Sequence, residues 1–244
     1  MDANYASFCF HVGEQYKKIM VDKYRTLTTP FTEQTASQKE NHFLEMTSKC
    51  INVINGFLSN IEQIDDLPAV CRPAILKTGL LPMLMIKSAT NYNQSKENFI
   101  FSDNQCYGKK AYLSFGFTQD VVDGYFDFCA CLNNMAGNDL IVYAILSLIR
   151  LVDLTGPILK FMVGLFSDED VVKLLECKNF FTNALNWYCR DKSFTADEVL
   201  DCCSKMDFIE VEMAKFSKEF ISAKKCKDPF DIFCADQKME TGRN

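Results

Sequence analysis

The chain has 244 residues, of which 48% are hydrophobic and 24% charged, and its net charge at pH 7 is −6. This composition is typical of one globular domain and excludes a disordered chain. An acidic chain without basic clusters is a poor candidate for binding nucleic acid, and its apolar runs are shorter than the ~20 residues that span a bilayer. Because the N-terminus shows no signal-peptide pattern, we expect the chain to remain in the cytosol or nucleus.

The cysteines and histidines indicate neither a zinc module nor an enzyme. The chain has 12 cysteines, but no two are spaced as C-x-x-C, so the spacing predicts no zinc site. We expect most to be reduced and to act as small apolar side chains on helix faces, as at Cys50, Cys129 and Cys203. The 2 histidines form no recognisable catalytic pattern, and the 10 glycines form no phosphate-binding loop.

The N-terminal third predicts two helices. Residues 4–27 place Phe8, Val12, Ile19 and Leu27 on one face and end before Pro30. Residues 43–61 have the same period, after a capping-box pattern at 37–40. The apolar face of this second helix consists of Phe43, Met46, Cys50, Ile54, Phe57 and Ile61.

A break at residues 65–68 precedes a segment that is apolar on every side. Pro73 can open this helix, since proline is tolerated in the first turn. Residues 74–87 should then pass through the middle of the domain, because a helix that is apolar all round is buried. A polar segment at 91–98 follows, and residues 99–101 and 106–107 are predicted to pair as a small hairpin around a turn at 102–105.

Residues 57–89 carry a family resemblance. The elements that match in order and spacing are Phe57, Ile61, Ile64, Leu67, the run Ile75-Leu76-Lys77-x-Gly79 and the run Leu84-Met85-Ile86-Lys87-x-Ala89. This segment resembles the signature region of nuclear-receptor ligand-binding domains, nearest to the Rev-Erb and retinoid-related orphan branch. The departures from the family pattern are Ser59 for lysine, Cys71-Arg72 for Asp-Gln, Pro82 for glutamate and Lys87 for arginine.

The resemblance implies an all-α, three-layer helical sandwich of about ten to twelve helices with a small β-hairpin. It implies one ligand-binding domain over residues 1–244, located in the nucleus. The DNA-binding zinc module of a receptor would lie outside this chain, which would contact no membrane.

The C-terminal half predicts four further helices. Residues 119–133 carry Val122, Tyr125, Cys129 and Leu132 at helical spacing, and the Phe-Asp-Phe at 126–128 resembles the same branch. Residues 140–152 are apolar nearly all round. Gly137-Asn138-Asp139 before them can cap the helix, and Asp139 also suits its dipole. Residues 168–190 have an apolar face of Val171, Leu174, Leu175, Phe181, Leu185 and Tyr188. Residues 196–222 form the longest stripe, with Val199, Cys203, Met206, Ile209, Met213, Phe216 and Phe220.

The resemblance gives the two central helices and the hairpin a role in binding a small hydrophobic ligand. The candidate lining positions are Cys50, Ile54, Phe57, Met83, Lys87, Phe99 and Phe101. Apolar pockets with one or two polar groups bind such ligands, and Lys87 would be the polar group. The alternative is that these side chains simply fill the core.

The resemblance also implies a groove that binds coregulator helices of the L-x-x-L-L type. The candidate groove residues are Ser59, Ile61, Leu76, Lys77 and Asp231, with the acid in a C-terminal activation segment. Because Ser59 replaces the family's clamping lysine, we expect weakened or altered coregulator binding. Met206, Met213 and Phe216 are the candidate seam with a homo- or heterodimer partner, although such a stripe can equally be core.

Haem is the one cofactor that the resemblance to the Rev-Erb-like branch suggests. Some of its members hold haem through a ligand before the first central helix and a histidine on the long C-terminal helix. His42 could serve as the first ligand, but residues 196–222 contain no histidine. The sequence therefore does not support two axial ligands and leaves open haem held by a single histidine or cysteine. The overall prediction is a regulatory ligand-binding domain, and the alternative is a helical interaction scaffold that binds no ligand.

Overall fold

The computed structural model describes residues 2–21, 49–100, 106–156 and 166–213, together with Glu45, Gly164 and Lys215. It confirms the predicted all-α fold with a small antiparallel sheet. The described helices are α1 Asp2–Gln15 with a π-helical continuation Tyr16–Met20, α2 at 49–58, α3 Glu62–Asp65, α4 Cys71–Ala89, α5 Lys109–Ser114, α6 Gln119–Ala136, α7 Leu140–Leu151, α8 Asp168–Cys189, α9 Ala196–Ser204 and α10 at 206–213. None of these helices is both long and apolar enough to cross a membrane.

Helix α7 is the centre of the described core. Residues 142–151 are all buried, as expected for a helix that is apolar on every side. Helix α7 packs against α4, α1 and α8. The approach of α4 is close at Gly79, where a Cβ atom would lie 2.5 Å from Leu151 Cδ1 and 2.9 Å from Leu151 Cα.

The other helices form two groups that share α7. Helices α1 and α8 pack against each other and against α7. Helix α4 packs against α7 and α6, and α6 also contacts α5 and α9. The burial of α4 and α7 confirms the prediction that these two apolar segments pass through the domain.

The sheet has three short antiparallel strands in the order β1-β2-β3, with β1 Tyr92–Asn93, β2 Asn98–Ile100 and β3 Cys106–Gly108. Phe99 is paired with Tyr92 on one side and Tyr107 on the other. The predicted pairing of the segments now seen as β2 and β3 is confirmed. Strand β1 was missed, because it lies in a polar segment that predicted a loop. Phe101 and the turn at 102–105 lie outside the described residues.

Three predicted helices are shorter or interrupted. The first ends where Val21 is extended, with φ −83° and ψ 121°, and Leu27 lies outside the described residues. The second ends near residue 58, because Ile61 is extended with φ −114° and ψ 101° before α3. The third is divided at Lys205 into α9 and α10. The apolar period continues across each interruption, so periodicity alone did not reveal it.

Two side chains differ from their predicted roles. Leu175 is 43% exposed, because the face of α8 that meets the core runs through Leu174, Phe181 and Leu185. The Asp139 side chain makes no capping bond at the start of α7. Its carboxylate instead accepts hydrogen bonds from the Tyr188 hydroxyl at 2.9 and 3.0 Å and from Lys192 Nζ at 2.8 Å, which ties α7 to the end of α8.

Candidate ligand pocket and coregulator groove

The predicted pocket residues come from α2, α4 and β2, and α5 and α6 lie beside them. Cys50 of α2 is close enough to the Tyr112 and Tyr125 hydroxyls to influence their ionisation. The Tyr125 hydroxyl of α6 also lies beside Ser88 of α4. Helix α5 contacts β3, and α6 contacts β1. Phe101 and His42 lie outside the described residues.

The space between these elements is occupied by an aromatic cluster, which we define as Tyr92, Phe99, Tyr112, Tyr125 and Phe126. Phe99 is at its centre. The Phe99 ring stacks on Tyr125 with 5.0 Å between centroids and meets Phe126 edge-on at 4.9 Å. It also contacts Tyr92 at 5.2 Å and Tyr112 at 5.7 Å. These are the geometries that aromatic pairs prefer, so the cluster is a packed core.

Most of the candidate lining residues that the structure describes retain almost no surface that water could reach. Ile54, Phe57, Met83 and Phe99 are each 0% exposed, and Lys87 is 2% exposed. Side chains that lined an open cavity would retain surface that water in that cavity could touch. Side chains therefore fill the space at these positions. Cys50, the remaining described candidate, is half-buried.

The phenol groups of the cluster are held neutral. Desolvation by burial raises the pKa of both Tyr112 and Tyr125 well above the ordinary value. Both phenol groups therefore remain protonated at neutral pH. Sequence reasoning found Phe99 but missed its four neighbours, and the available signal was the density of aromatic residues between positions 92 and 126.

The described residues of the predicted coregulator groove divide into two exposed and two buried side chains. Ser59 and Lys77 are exposed, and the Ser59 hydroxyl donates to the Asn55 carbonyl at 2.9 Å. Ile61 and Leu76 are only 1% and 6% exposed, so both pack into the core. Asp231 lies outside the described residues.

The predicted dimer seam contains one fully buried side chain. Met206 is 0% exposed and Met213 is 9% exposed, and Phe216 lies outside the described residues. The exposed apolar residue of α10 is Phe208, at 56%. The inner face of α10 therefore packs within this chain, and the outer face carries Phe208.

A buried ionic network, which the sequence analysis did not predict, joins α10 to the central helix α7. Arg150 of α7 donates to Asp207 Oδ1 at 2.8 Å and to Glu210 Oε2 at 2.9 Å. Its Nη1 lies 3.4 Å from Asp153 Oδ2, and the Asp153 carboxylate also accepts from Lys178 Nζ at 2.7 Å. The side chains of Arg150 and Glu210 are only 7% and 3% exposed. The sequence feature that could have indicated this network is Arg150, the one charged residue in the apolar run of α7.

Burial and pairing act in opposite directions on the carboxylates of this network. Desolvation raises the pKa of Glu210, although Arg150 opposes it. Desolvation also acts on Asp153, but hydrogen bonds from Lys178 and Thr155 outweigh it and lower the pKa of Asp153. Both carboxylates thus depend on cationic partners for their charge.

The described cysteines are free thiols, and Cys9, Cys71, Cys129, Cys177, Cys189, Cys202 and Cys203 are buried. Burial raises the pKa of the Cys9 and Cys177 thiols to about 12, so both remain protonated at neutral pH. Within the described ranges, no three His, Cys, Asp or Glu side chains converge as a metal-binding group.

Comparison with known proteins finds a partial similarity to a nuclear receptor. No family model matches it. Over 137 residues, 55% of the chain, it is 22% identical to the ecdysone receptor of Chironomus tentans. The matched part covers 25% of that receptor, so the similarity spans about a quarter of the relative's length. Part of the chain is thus weakly similar to a nuclear receptor, and the all-α fold with its small sheet is consistent with a nuclear-receptor ligand-binding domain.

Proposed function

We propose that this chain is a regulatory domain of the nuclear-receptor type, of the Rev-Erb and retinoid-related orphan branch, acting in the nucleus through protein partners. The observation that carries the proposal is the order of elements around the resembling segment. Residues 57–89 run from the end of α2 through α4, and the small sheet follows at once. The partial similarity to an ecdysone receptor supports the same class.

We propose further that the domain adopts its working form without a small-molecule ligand. The support is the aromatic cluster, which occupies the space between α4, α5, α6 and the sheet. Because Phe99, Ile54 and Met83 are fully buried, a ligand would have to displace side chains before it could bind. That displacement would cost packing free energy, which the ligand would have to repay.

The second candidate is a receptor domain in which a hydrophobic ligand replaces part of the aromatic cluster. Lys87, only 2% exposed, supports this candidate, since a buried amine is a suitable polar group for a largely apolar ligand. A ligand that bound only the displaced form would shift the population toward it.

The coregulator groove is proposed at the exposed side chains Ser59 and Lys77. A lysine at the C-terminal end of a bound L-x-x-L-L helix interacts favourably with the helix dipole. Asp231 would complete the other end of the clamp. We propose a dimer contact on the outer side of α10, where Phe208 is exposed, because Met206 is buried inside the chain.

The test is a fluorescence-polarisation titration of the chain with a labelled L-x-x-L-L peptide. We expect saturable binding that Lys77→Ala weakens about two- to fivefold, the range of one charge–dipole interaction. Lys110→Ala, which removes an exposed lysine from α5, is the matched control and should bind as the wild type does. Absence of saturable binding, or equal losses in both variants, would contradict the groove assignment.

A further inference from the structure

Four cysteines lie close together where α6 packs against α9. They are Cys129 and Cys131 on α6 and Cys202 and Cys203 on α9. Three of the four thiols are buried, and Cys131 is half-buried. None of them belongs to the candidate pocket, the coregulator groove or the dimer contact, so their proximity needs an explanation of its own.

The Cys131 and Cys202 side chains are in direct contact. Their two thiol groups are hydrogen-bonded to each other. The Cys202 Sγ also lies 3.9 Å from the Phe128 carbonyl oxygen. Phe128 and Cys131 are three positions apart on α6, so they lie on the same side of that helix. Both contacts therefore place the Cys202 sulfur over the turn of α6 that carries Cys131.

The other two cysteines are enclosed by the fold. Cys129 is 0% exposed and Cys203 is 2% exposed. Cys203 also lies close enough to Arg150 of the buried ionic network for the guanidinium to oppose the burial that raises its pKa. A small oxidant in solution can reach Cys131 in the folded chain, but it can reach Cys129 and Cys203 only if the fold opens.

The two sulfurs of the pair differ in access to solvent. Cys202 is only 3% exposed. Burial raises the pKa of Cys202, the hydrogen bond with Cys131 adds to this effect, and the nearby Lys205 opposes it. Cys202 therefore remains a thiol at neutral pH, and half-buried Cys131 is the sulfur that an oxidant meets first. A reachable cysteine next to a second cysteine is the arrangement in which oxidation ends in a disulfide.

We propose that Cys131 and Cys202 are a redox-reactive pair that closes to a disulfide between α6 and α9 when the chain meets a hydroperoxide. In the first step the Cys131 sulfur loses its proton and attacks one peroxide oxygen. An S–O bond forms, the O–O bond breaks, and the leaving oxygen takes up the proton, which gives a sulfenic acid on Cys131 and an alcohol, or water from hydrogen peroxide.

The second step joins the two helices. The Cys202 sulfur attacks the Cys131 sulfur, the S–S bond forms, and the S–O bond breaks. The departing hydroxide takes the Cys202 proton and leaves as water, so the two thiols have supplied the two electrons that reduce the peroxide. Because the two sulfurs are already in contact, this step is intramolecular and needs no encounter between separate groups. The disulfide then holds α9 against α6.

The experiment treats the reduced full chain with hydrogen peroxide, blocks the remaining thiols with iodoacetamide in urea, and maps tryptic peptides without reductant. The wild type should give a cross-link between peptides 111–150 and 193–205, and dithiothreitol should remove it. Cys131→Ala and Cys202→Ala should each lower the yield of this cross-link by about tenfold or more. Oxidation of the wild type should slow amide hydrogen exchange in α9 by about threefold or more, and oxidation of Cys131→Ala should not.

The matched controls are Cys129→Ala and Cys203→Ala, which change the other cysteine of each peptide and should give the wild-type yield. Four results would overturn the proposal: oxidation of Cys131 in the wild type without this cross-link, a cross-link that persists in Cys131→Ala, a loss of the cross-link in a folded control variant, or unchanged exchange in α9. If circular dichroism shows that Cys202→Ala does not fold, Cys131→Ala against Cys129→Ala decides the question.

Discussion

Replacing Phe99 by alanine tests whether side chains fill the space that the family resemblance assigns to a ligand. Phe99 is 0% exposed, and its ring contacts Tyr92, Tyr112, Tyr125 and Phe126 at 4.9 to 5.7 Å between centroids. Removing a buried phenylalanine costs about 3–5 kcal/mol. Because four ring pairs are lost together, we expect a value near the upper end, about 4–5 kcal/mol.

The assay is urea-induced unfolding of wild type and Phe99→Ala, with thermal unfolding as a second measure. A loss of this size should lower Tm by about 8–20 °C in a domain of this length. Phe208→Ala is the control, because Phe208 is 56% exposed and its removal should change the free energy of unfolding by about 0.5 kcal/mol or less.

The Phe99→Ala variant also allows a second test, of ligand binding to the cavity that the missing ring leaves. A cavity left by the ring should be apolar, and small aromatic molecules bind such cavities. Benzene should therefore raise the Tm of Phe99→Ala and leave the wild type unchanged. A loss below about 1 kcal/mol, or an equal benzene effect on both proteins, would refute a tightly packed aromatic cluster.

Three further predictions follow from the core. Arg150→Met should destabilise the fold by about 3–5 kcal/mol in thermal unfolding, since it leaves buried Glu210 and Asp153 without their guanidinium partner. The double variant Arg150→Met with Glu210→Leu should recover much of this loss. A double variant as unstable as Arg150→Met, or less stable, would contradict the network. Gly79→Ala should lower the free energy of unfolding in urea by about 1–3 kcal/mol, because the new Cβ would lie 2.9 Å from the Leu151 backbone. Gly124→Ala is the control and should cause no such loss, because the nearest atoms are 3.4 Å away. Similar losses in both variants would count against the close approach of α4 to α7. Iodoacetamide at pH 8 should alkylate half-buried Cys106 and Cys131 before Cys9, Cys177 and Cys203, because burial raises the pKa of the last three thiols to about 12. Equal alkylation rates for the two groups in peptide mapping would contradict the burial of the slower group.

The sequence predicted those parts of the fold that depend on local periodicity. Helices α6 and α7 follow from runs in which nearly every third or fourth residue is apolar. Such runs bury the same residues in almost any arrangement of neighbours. Strand β1 was missed for the complementary reason: Tyr92 and Asn93 are polar or aromatic in a turn-rich segment, and only pairing with β2 makes them a strand.

The candidate sites are formed by contacts between residues far apart in the sequence, and hydrophobic periodicity does not reveal such contacts. Phe99 was predicted to line a ligand pocket, and it is buried. Its stacking on Tyr125 joins residues 26 positions apart, so the sequence did not show whether the space around it was open or filled. Arg150 and Glu210 are likewise joined only by the fold.

Native mass spectrometry of the purified chain mixed with an equimolar L-x-x-L-L peptide tests the central claim most directly. If the domain is of the nuclear-receptor type and its interior is filled by its own side chains, the spectrum should show a chain–peptide complex with no additional small-molecule mass. A peptide complex that forms only in species carrying such a mass would contradict the ligand-independent form. The absence of any peptide complex would contradict the proposed coregulator function itself.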